Sequence, residues 1–150
     1  MASADNDAES LLVSARQAAT RAHCPYSNFH VGAAVRCDDG SVIDGCNVEN
    51  ASYGLSICAE RVALFAAITQ GKRPLELAVS CVDAQTDAAP GSRMPCGACR
   101  QVMQELLPAE AKIHIDGVGQ QQLSHLLPQP FELDHSSSQE GQGPPPAKLI

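Results

Sequence analysis

Apolar residues spaced three or four positions apart predict helices in this chain, because that spacing places them on one helix face. Residues 7–22 show the pattern, and Asn6 with Glu9 forms a plausible capping pair near their start. Residues 58–69 show it again, with alanines and valine on the apolar face. A third helix is predicted over 96–107, and a proline follows it.

Apolar runs bounded by turn residues predict four strands, over 29–37, 41–48, 75–82 and 113–115. The first two strands flank Asp38-Asp39-Gly40, whose glycine can adopt the positive φ of a hairpin turn. Loops are predicted over 50–57 and 83–94, and a short helix or turn over 123–127.

This order of elements predicts an α/β fold, a three-layer α/β/α sandwich built on one mixed β-sheet. The first two strands are expected to pair antiparallel, and the later strands, which follow crossover helices, to run parallel. One domain is expected over 1–135. A flexible tail rich in Ser, Gln, Gly and Pro is expected over 136–150.

The composition narrows the class of protein and of partner. Of the 150 residues, 44% are hydrophobic and 18% charged, which is typical of a globular domain. The formal net charge of −7 opposes binding to a nucleic-acid polymer, because a polyanion is repelled at long range, and a small neutral substrate fits better. No apolar run approaches the about 18 residues of a membrane span. Residues 1–10 lack the pattern of a secretory signal, so a cytoplasmic location is expected.

The chain contains seven cysteines, and this odd number without an export signal favours reduced thiols or a metal site over a disulfide framework. Two short motifs contain three of them, Cys58-Ala59-Glu60 and Pro95-Cys96-Gly97-Ala98-Cys99. A Cys-x-x-Cys in the first turn of a helix places two thiolates on one side of a zinc ion, and Cys58 begins the helix that provides a third. Helix N-termini stabilise thiolates. Three ligands leave a fourth position for water, the pattern of a catalytic zinc.

Glu60 and Arg61 follow the first cysteine and extend this interpretation. Glu60 can approach water at the open position without binding the metal, take a proton from it and hand that proton on. Three thiolates with Zn²⁺ carry a net charge of −1, which weakens the metal as a Lewis acid. Hydrogen bonds from Arg61 to the thiolates would restore the electrophilicity of the metal. A lone Cys-x-x-Cys is often a structural half-site or a redox pair, and the upstream Cys-Ala-Glu favours the catalytic interpretation.

With these motifs the sequence resembles the small, homotetrameric, zinc-dependent cytidine deaminase family, whose signature is a metal ligand, any residue and Glu, followed by Pro-Cys-x-x-Cys. The similarity extends over roughly 15–131. Its specific segments are Cys24-Pro25-Tyr26-Ser27, Phe29, Val31-Gly32-Ala33-Ala34, Gly45-Cys46-Asn47-Val48-Glu49-Asn50-Ala51, Ile57-Cys58-Ala59-Glu60-Arg61 and Pro95 to Gln101.

The resemblance implies one zinc ion per chain, bound by Cys58, Cys96 and Cys99, with Glu60 as the proton shuttle. The implied reaction is hydrolytic deamination of cytidine and 2′-deoxycytidine to uridine and 2′-deoxyuridine, with release of ammonia. This is a hydrolase reaction on a cyclic amidine C–N bond, and it belongs to pyrimidine salvage.

The resemblance also implies how a nucleoside is bound. Asn47 and Glu49 would hydrogen-bond the 3′-hydroxyl of the ribose, since a carboxylate accepts and an amide both donates and accepts. Phe29 would pack against the pyrimidine, and the backbone N–H of Ala59 would meet the base carbonyl.

Other implied contacts cross between subunits. Ala51 and Tyr53 would reach the 5′-hydroxyl end of a neighbouring subunit's site, and Phe131 would cover the base from another subunit. A homotetramer with shared sites is therefore implied. Only ten residues separate Ile115 from Leu126, so the final hairpin of the sheet is expected to be shorter than is usual in the family.

The residues alone leave three other functions possible. A blasticidin-type deaminase shares both cysteine motifs, although the Asn47 to Asn50 segment favours a nucleoside. A non-catalytic zinc module would have no need of Glu60. A deaminase of polynucleotides is opposed by the acidic charge and by the lack of a basic, aromatic-rich groove. The plain structural alternatives are Phe29 in the core, Phe131 as a surface anchor, and Asn47 and Glu49 as a solvated strand end.

Overall fold

Five strands form one sheet in the computed structural model of the chain, which describes residues 2–134. The helices and strands, in chain order, are α1 (Ala2–Ala19), β1 (Val31–Cys37), β2 (Val42–Cys46), α2 (Ala59–Thr69), β3 (Pro74–Cys81), α3 (Gly97–Leu106), β4 (Lys112–Ile115), β5 (Gly119–Gln122) and α4 (Leu123–Leu126). Residue 135 and the tail expected over 136–150 lie outside the described residues.

The strand order across the sheet is β2-β1-β3-β4-β5. β1 pairs antiparallel with both β2 and β3, whereas β3 and β4 pair in parallel. β5 returns antiparallel to β4. The predicted mixed sheet and its first hairpin are therefore confirmed, and the two strands that precede and follow α3 run parallel as expected.

Successive residues of the central strands point to opposite faces of the sheet, and each face is covered by helices. On one face Ala33 and Val35 of β1 belong to the large core that includes Leu64 of α2 and Met103 of α3. On the other face Ala34 belongs to a smaller cluster with residues of α1. The three-layer α/β/α sandwich is confirmed, with α1 on one side of the sheet and α2 and α3 on the other.

Two glycines allow helices to lie directly on the sheet. A Cβ at Gly32 of β1 would lie 1.9 Å from the carbonyl oxygen of Ala15 in α1. A Cβ at Gly45 of β2 would lie 2.5 Å from the backbone nitrogen of Ala63 in α2. Both contacts are with backbone, so a larger residue requires the helix itself to move.

The boundaries of the first helix differ from the prediction. α1 begins at Ala2, so Asn6 and Glu9 lie inside the helix and do not cap it. It ends at Ala19 instead of residue 22, because the next residues close tighter turns in which each N–H donates to a carbonyl three positions back.

The first two strands are shorter than predicted at the ends that approach the site. β1 begins at Val31, and Phe29 precedes it, because the N–H of His30 donates to the Asp83 carboxylate at 2.7 Å. β2 ends at Cys46, and Val48 retains only isolated bridges to His23 and Ile57.

The remaining predicted elements agree with the structure to within one residue, and α4 confirms the short helix after the sheet. The two predicted loops each contain one turn of 3₁₀-helix, Tyr53–Leu55 and Pro90–Arg93. A short final hairpin, β4 with β5, follows α3. Within 2–134, no helix is both long enough and apolar enough to cross a membrane.

We expect Gly32→Ala to destabilise the fold, because the added methyl group would meet backbone that cannot rotate aside. The free energy of unfolding should fall by about 1–3 kcal/mol, the range for overpacked sites. Gly91→Ala is the matched control, since a Cβ there has no neighbouring atom within 4 Å. Urea unfolding of both variants gives the difference, and equal stabilities would contradict the close contact with α1.

Candidate metal and substrate site

Three cysteine sulfurs meet where α2 and α3 begin. Cys58 is the N-cap residue of α2, Cys96 is the N-cap residue of α3, and Cys99 lies one turn into α3. The Sγ atom of Cys96 lies 3.9 Å from that of Cys58 and 3.4 Å from that of Cys99. All three sulfur atoms are within 4.8 Å of one another. The predicted ligand set is thus brought together.

The spacing of these sulfurs suits a tetrahedral zinc ion. Zn–S bonds of about 2.3 Å at tetrahedral angles imply S–S separations of about 3.8 Å, which matches the observed distances. Soft sulfur ligands favour zinc over hard cations such as Mg²⁺. Three ligands leave one position open, as in catalytic sites.

The electrostatics of the cluster favour ionised sulfur. Two helix N-termini bring partial positive charge to it. Arg61 Nη2 lies 3.5 Å from Cys58 Sγ, as predicted for this arginine. Hydrogen bonds from Cys99 and then Arg61 lower the pKa of Cys58 to about 5, whereas the bond to Cys58 and burial raise the pKa of Cys99. Zinc binds thiolates, so a thiol whose pKa is low loses its proton to the metal more readily.

Glu60 lies in the first turn of α2, next to the cluster, with an exposed fraction of only 4%. Burial raises the pKa of its carboxyl group to about 7. A carboxyl group with a pKa near neutrality can both accept and donate a proton at physiological pH. Its position and its environment therefore suit the proton shuttle predicted from the sequence.

A cavity of about 470 Å³ opens beside the cysteines and Glu60. Four of the predicted substrate-binding residues line it, namely Phe29, Asn47, Glu49 and Ala59. This size suits a small organic ligand.

Part of the cavity lining was not predicted as part of the site. Cys81, at the end of β3, lines the cavity, and so do Ser92 and Met94 from the segment predicted only as a loop. Arg93 holds that segment in place by donating to the backbone carbonyl oxygens of Gln85 at 2.7 Å, Ala84 at 3.4 Å and Asp116 at 3.4 Å. The one available signal was that Ser92 and Met94 closely precede Pro95 and its cysteine motif.

Comparison with known proteins matches residues 5–114 to the cytidine and deoxycytidylate deaminase zinc-binding region. The chain belongs to this family. A curated cytidine deaminase from Halalkalibacterium halodurans is 46% identical over 132 residues, which cover 85% of this chain and 96% of the relative. The zinc cofactor follows from the family together with the three-cysteine cluster.

Solved structures of cytidine deaminases share the fold. The enzyme from Burkholderia pseudomallei gives a TM-score of 0.73 at 43% identity, covering 82% of this chain and 98% of that chain. The enzyme from Mycobacterium tuberculosis gives 0.71 at 43% identity, covering 83% and 97%. The mixed sheet described above is therefore the cytidine deaminase fold.

Three of the residues that the deaminase resemblance assigns to substrate binding lie outside the main cavity. Ala51 is exposed, and so is Tyr53, which makes a T-shaped contact with Tyr26 at a ring-centroid distance of 6.1 Å. Phe131 is 70% exposed, and its carbonyl oxygen accepts a hydrogen bond from Gln101. The single chain does not bring these three side chains to its own zinc cluster.

We expect Cys96→Ala to lose most of its zinc, because only two of the three sulfurs would remain. Cys81→Ala is the matched control: this cysteine lines the same cavity but lies outside the three-sulfur cluster. Zinc content per chain of the purified proteins, by mass spectrometry of the metal, provides the measurement. Full zinc content in Cys96→Ala would show that this thiolate is not a ligand.

Proposed function

We propose that the chain catalyses the hydrolytic deamination of cytidine and 2′-deoxycytidine to uridine and 2′-deoxyuridine, with release of ammonia, as a step of pyrimidine salvage. The observation that carries this proposal is a buried carboxyl group, Glu60, beside a three-sulfur cluster in a ligand-sized cavity. The names of its relatives support the same reaction. We assign the catalytic domain to 1–135.

Cys58, Cys96 and Cys99 would bind the zinc ion, and Arg61 would offset their charge. When bound, zinc supplies Lewis-acid chemistry that makes water a nucleophile near neutral pH. Glu60 accepts one proton from the attacking water and delivers it to N3 of the base. The hydroxyl oxygen bonds to C4, the C4–N4 bond breaks, and Glu60 transfers the remaining proton to the departing amino group, which leaves as ammonia.

The walls of the cavity would orient the pyrimidine. Ala59 is the first residue of α2, where a backbone N–H has no partner within the helix, and it can donate to the carbonyl oxygen of the base. The ring of half-buried Phe29 provides an apolar surface for the base. Asn47 and Glu49 line the same cavity and would bind the sugar.

A nucleoside fits this cavity better than a nucleotide, although the family name covers both substrates. Among the described residues, the lining contains the carboxyl groups of Glu49 and Glu60 and no lysine, arginine or histidine. A phosphate group there would meet the negative charge of Glu49 without a basic side chain to compensate it. The same charge, and the net −7 of the chain, argue against a nucleic-acid polymer as substrate.

The active enzyme would be a homotetramer with sites shared between subunits. Tyr53, Leu55 and Phe131 expose 77%, 65% and 70% of their surface in the isolated chain, which is typical of apolar side chains that a partner covers. In that assembly Ala51, Tyr53 and Phe131 would contact substrate bound by a neighbour. The proposed setting is the cytoplasm, with no membrane partner.

The first test is turnover of cytidine by the purified protein, followed by the loss of absorbance as uridine forms. We expect turnover of cytidine and 2′-deoxycytidine, loss of activity after removal of zinc with a chelator, and recovery when zinc is restored. Cytidine 5′-monophosphate is the matched substrate, and its kcat/KM should be at least about a hundredfold lower because of the acidic lining. Faster turnover of the monophosphate would contradict the nucleoside assignment.

We expect Glu60→Gln to retain zinc while kcat falls by at least about a thousandfold, because the amide cannot carry protons. Zinc analysis and steady-state kinetics on the same preparation separate the two effects. Substantial activity in a zinc-loaded variant would show that another group moves the protons.

A further inference from the structure

The amide of Asn47 is held in one orientation by the backbone on either side of His30. Its Oδ1 atom accepts from the N–H of Val31 at 2.9 Å, and its Nδ2 atom donates to the carbonyl oxygen of Phe29 at 2.8 Å. A flipped amide would place donor against donor and acceptor against acceptor. One N–H of this amide therefore remains to donate to a ligand in the cavity.

The carboxylate of Glu49 is likewise held in one orientation. One oxygen accepts from the backbone N–H groups of Tyr26 at 2.9 Å and Ser27 at 3.3 Å, and the other accepts from the Ser27 hydroxyl. These donors, the Ser27 hydroxyl foremost, hold the pKa of Glu49 below its usual range. The group is thus an ionised acceptor at neutral pH.

The hydroxyl of Ser27 has no freedom in the direction of its hydrogen. Its oxygen accepts from the N–H of Phe29 at 3.0 Å, so its own hydrogen is directed to Glu49. Asn28 between them has a φ of +54°, a left-handed conformation that asparagine tolerates, and its N–H donates to the carbonyl oxygen of Cys24 at 2.9 Å. The backbone N–H groups of Asn28 and Phe29 therefore both fix the conformation of the turn that contains Ser27.

A donor from Asn47 and an acceptor from Glu49 are complementary to a hydroxyl group, which both accepts and donates. We propose that Ser27 is a positioning residue for recognition of the sugar hydroxyl: it orients the Glu49 carboxylate and ties it to the same Phe29 backbone that orients Asn47. This inference rests on the proposed function. Ser27 also lines the cavity, and its proposed role is exerted through Glu49.

The test compares Ser27→Ala on two substrates that differ by one hydroxyl, cytidine and 3′-deoxycytidine. For cytidine we expect kcat/KM to fall about tenfold, the size of one favourable hydrogen bond, mainly through KM. For 3′-deoxycytidine, which lacks the hydroxyl that Glu49 would bind, the change should stay within about twofold. Equal losses on both substrates, or no loss on either, would overturn the proposal.

Two further variants separate positioning from general effects on the fold. Ser27→Thr retains the hydroxyl and should return kcat/KM for cytidine to within about threefold of the wild type. Ser41→Ala removes a similar serine–carboxylate hydrogen bond, to Asp39 at 2.5 Å in the β1–β2 turn, and should leave both substrates unaffected. A loss in Ser41→Ala equal to that in Ser27→Ala would overturn the specific role.

A second measurement does not depend on turnover. Carbon-detected NMR titration should show a higher pKa for the Glu49 carboxyl in Ser27→Ala than in the wild type, and no change in Ser41→Ala. An unchanged Glu49 pKa in Ser27→Ala overturns the proposal even if cytidine is deaminated. If the wild type turns over neither cytidine nor 2′-deoxycytidine, the proposed function fails, and the titration alone decides whether Ser27 controls this carboxylate.

Discussion

The crowding of three cysteine sulfurs at the starts of α2 and α3 is the constraint on which the rest of the site depends. Sulfurs 3.4 and 3.9 Å apart require protons or a cation between them, because bare thiolates at that distance repel one another. Two helix N-termini and the Arg61 guanidinium offset part of that charge. The buried carboxyl group of Glu60 and the cavity both adjoin this cluster, so a group that can carry protons and space for a ligand lie beside the three sulfurs.

The sheet brings the two helices to the required positions. α2 and α3 pack on the same face and share one core, whereas α1 covers the opposite face. α2 lies directly on β2, because Gly45 leaves room for the backbone of Ala63. The position of Cys58 is thus set by contact between backbones, which deform far less than side chains do.

Residues that are close in sequence were predictable, because helix geometry alone relates them. Cys96 and Cys99 lie one turn apart, and Glu60 follows Cys58 by two positions in the same helix. The order of helices and strands likewise indicated the layers of the fold. These local patterns, with the family resemblance, were enough to identify the metal cluster and four residues of the cavity.

Contacts between distant residues were not predictable from these patterns. Phe29 looked like part of a strand, but the N–H of the next residue is bound by Asp83, 53 positions later. Ser92 and Met94 reach the cavity wall only through the long-range contacts of Arg93. The start of α1 was missed because an acidic, alanine-rich segment carries no apolar periodicity.

The attachment of the segment that contains Ser92 and Met94 has a consequence for the stability of the cavity in acid. Arg93 donates to three backbone carbonyl oxygens, and none of these oxygens changes its charge between neutral and acidic pH. The segment held by Arg93 should therefore keep its position as the solution is acidified, whereas protonation of the Glu49 carboxylate would weaken the hydrogen bonds that it accepts from Tyr26 and Ser27. Acidification should therefore loosen the turn around Glu49 before it affects the segment that Arg93 holds.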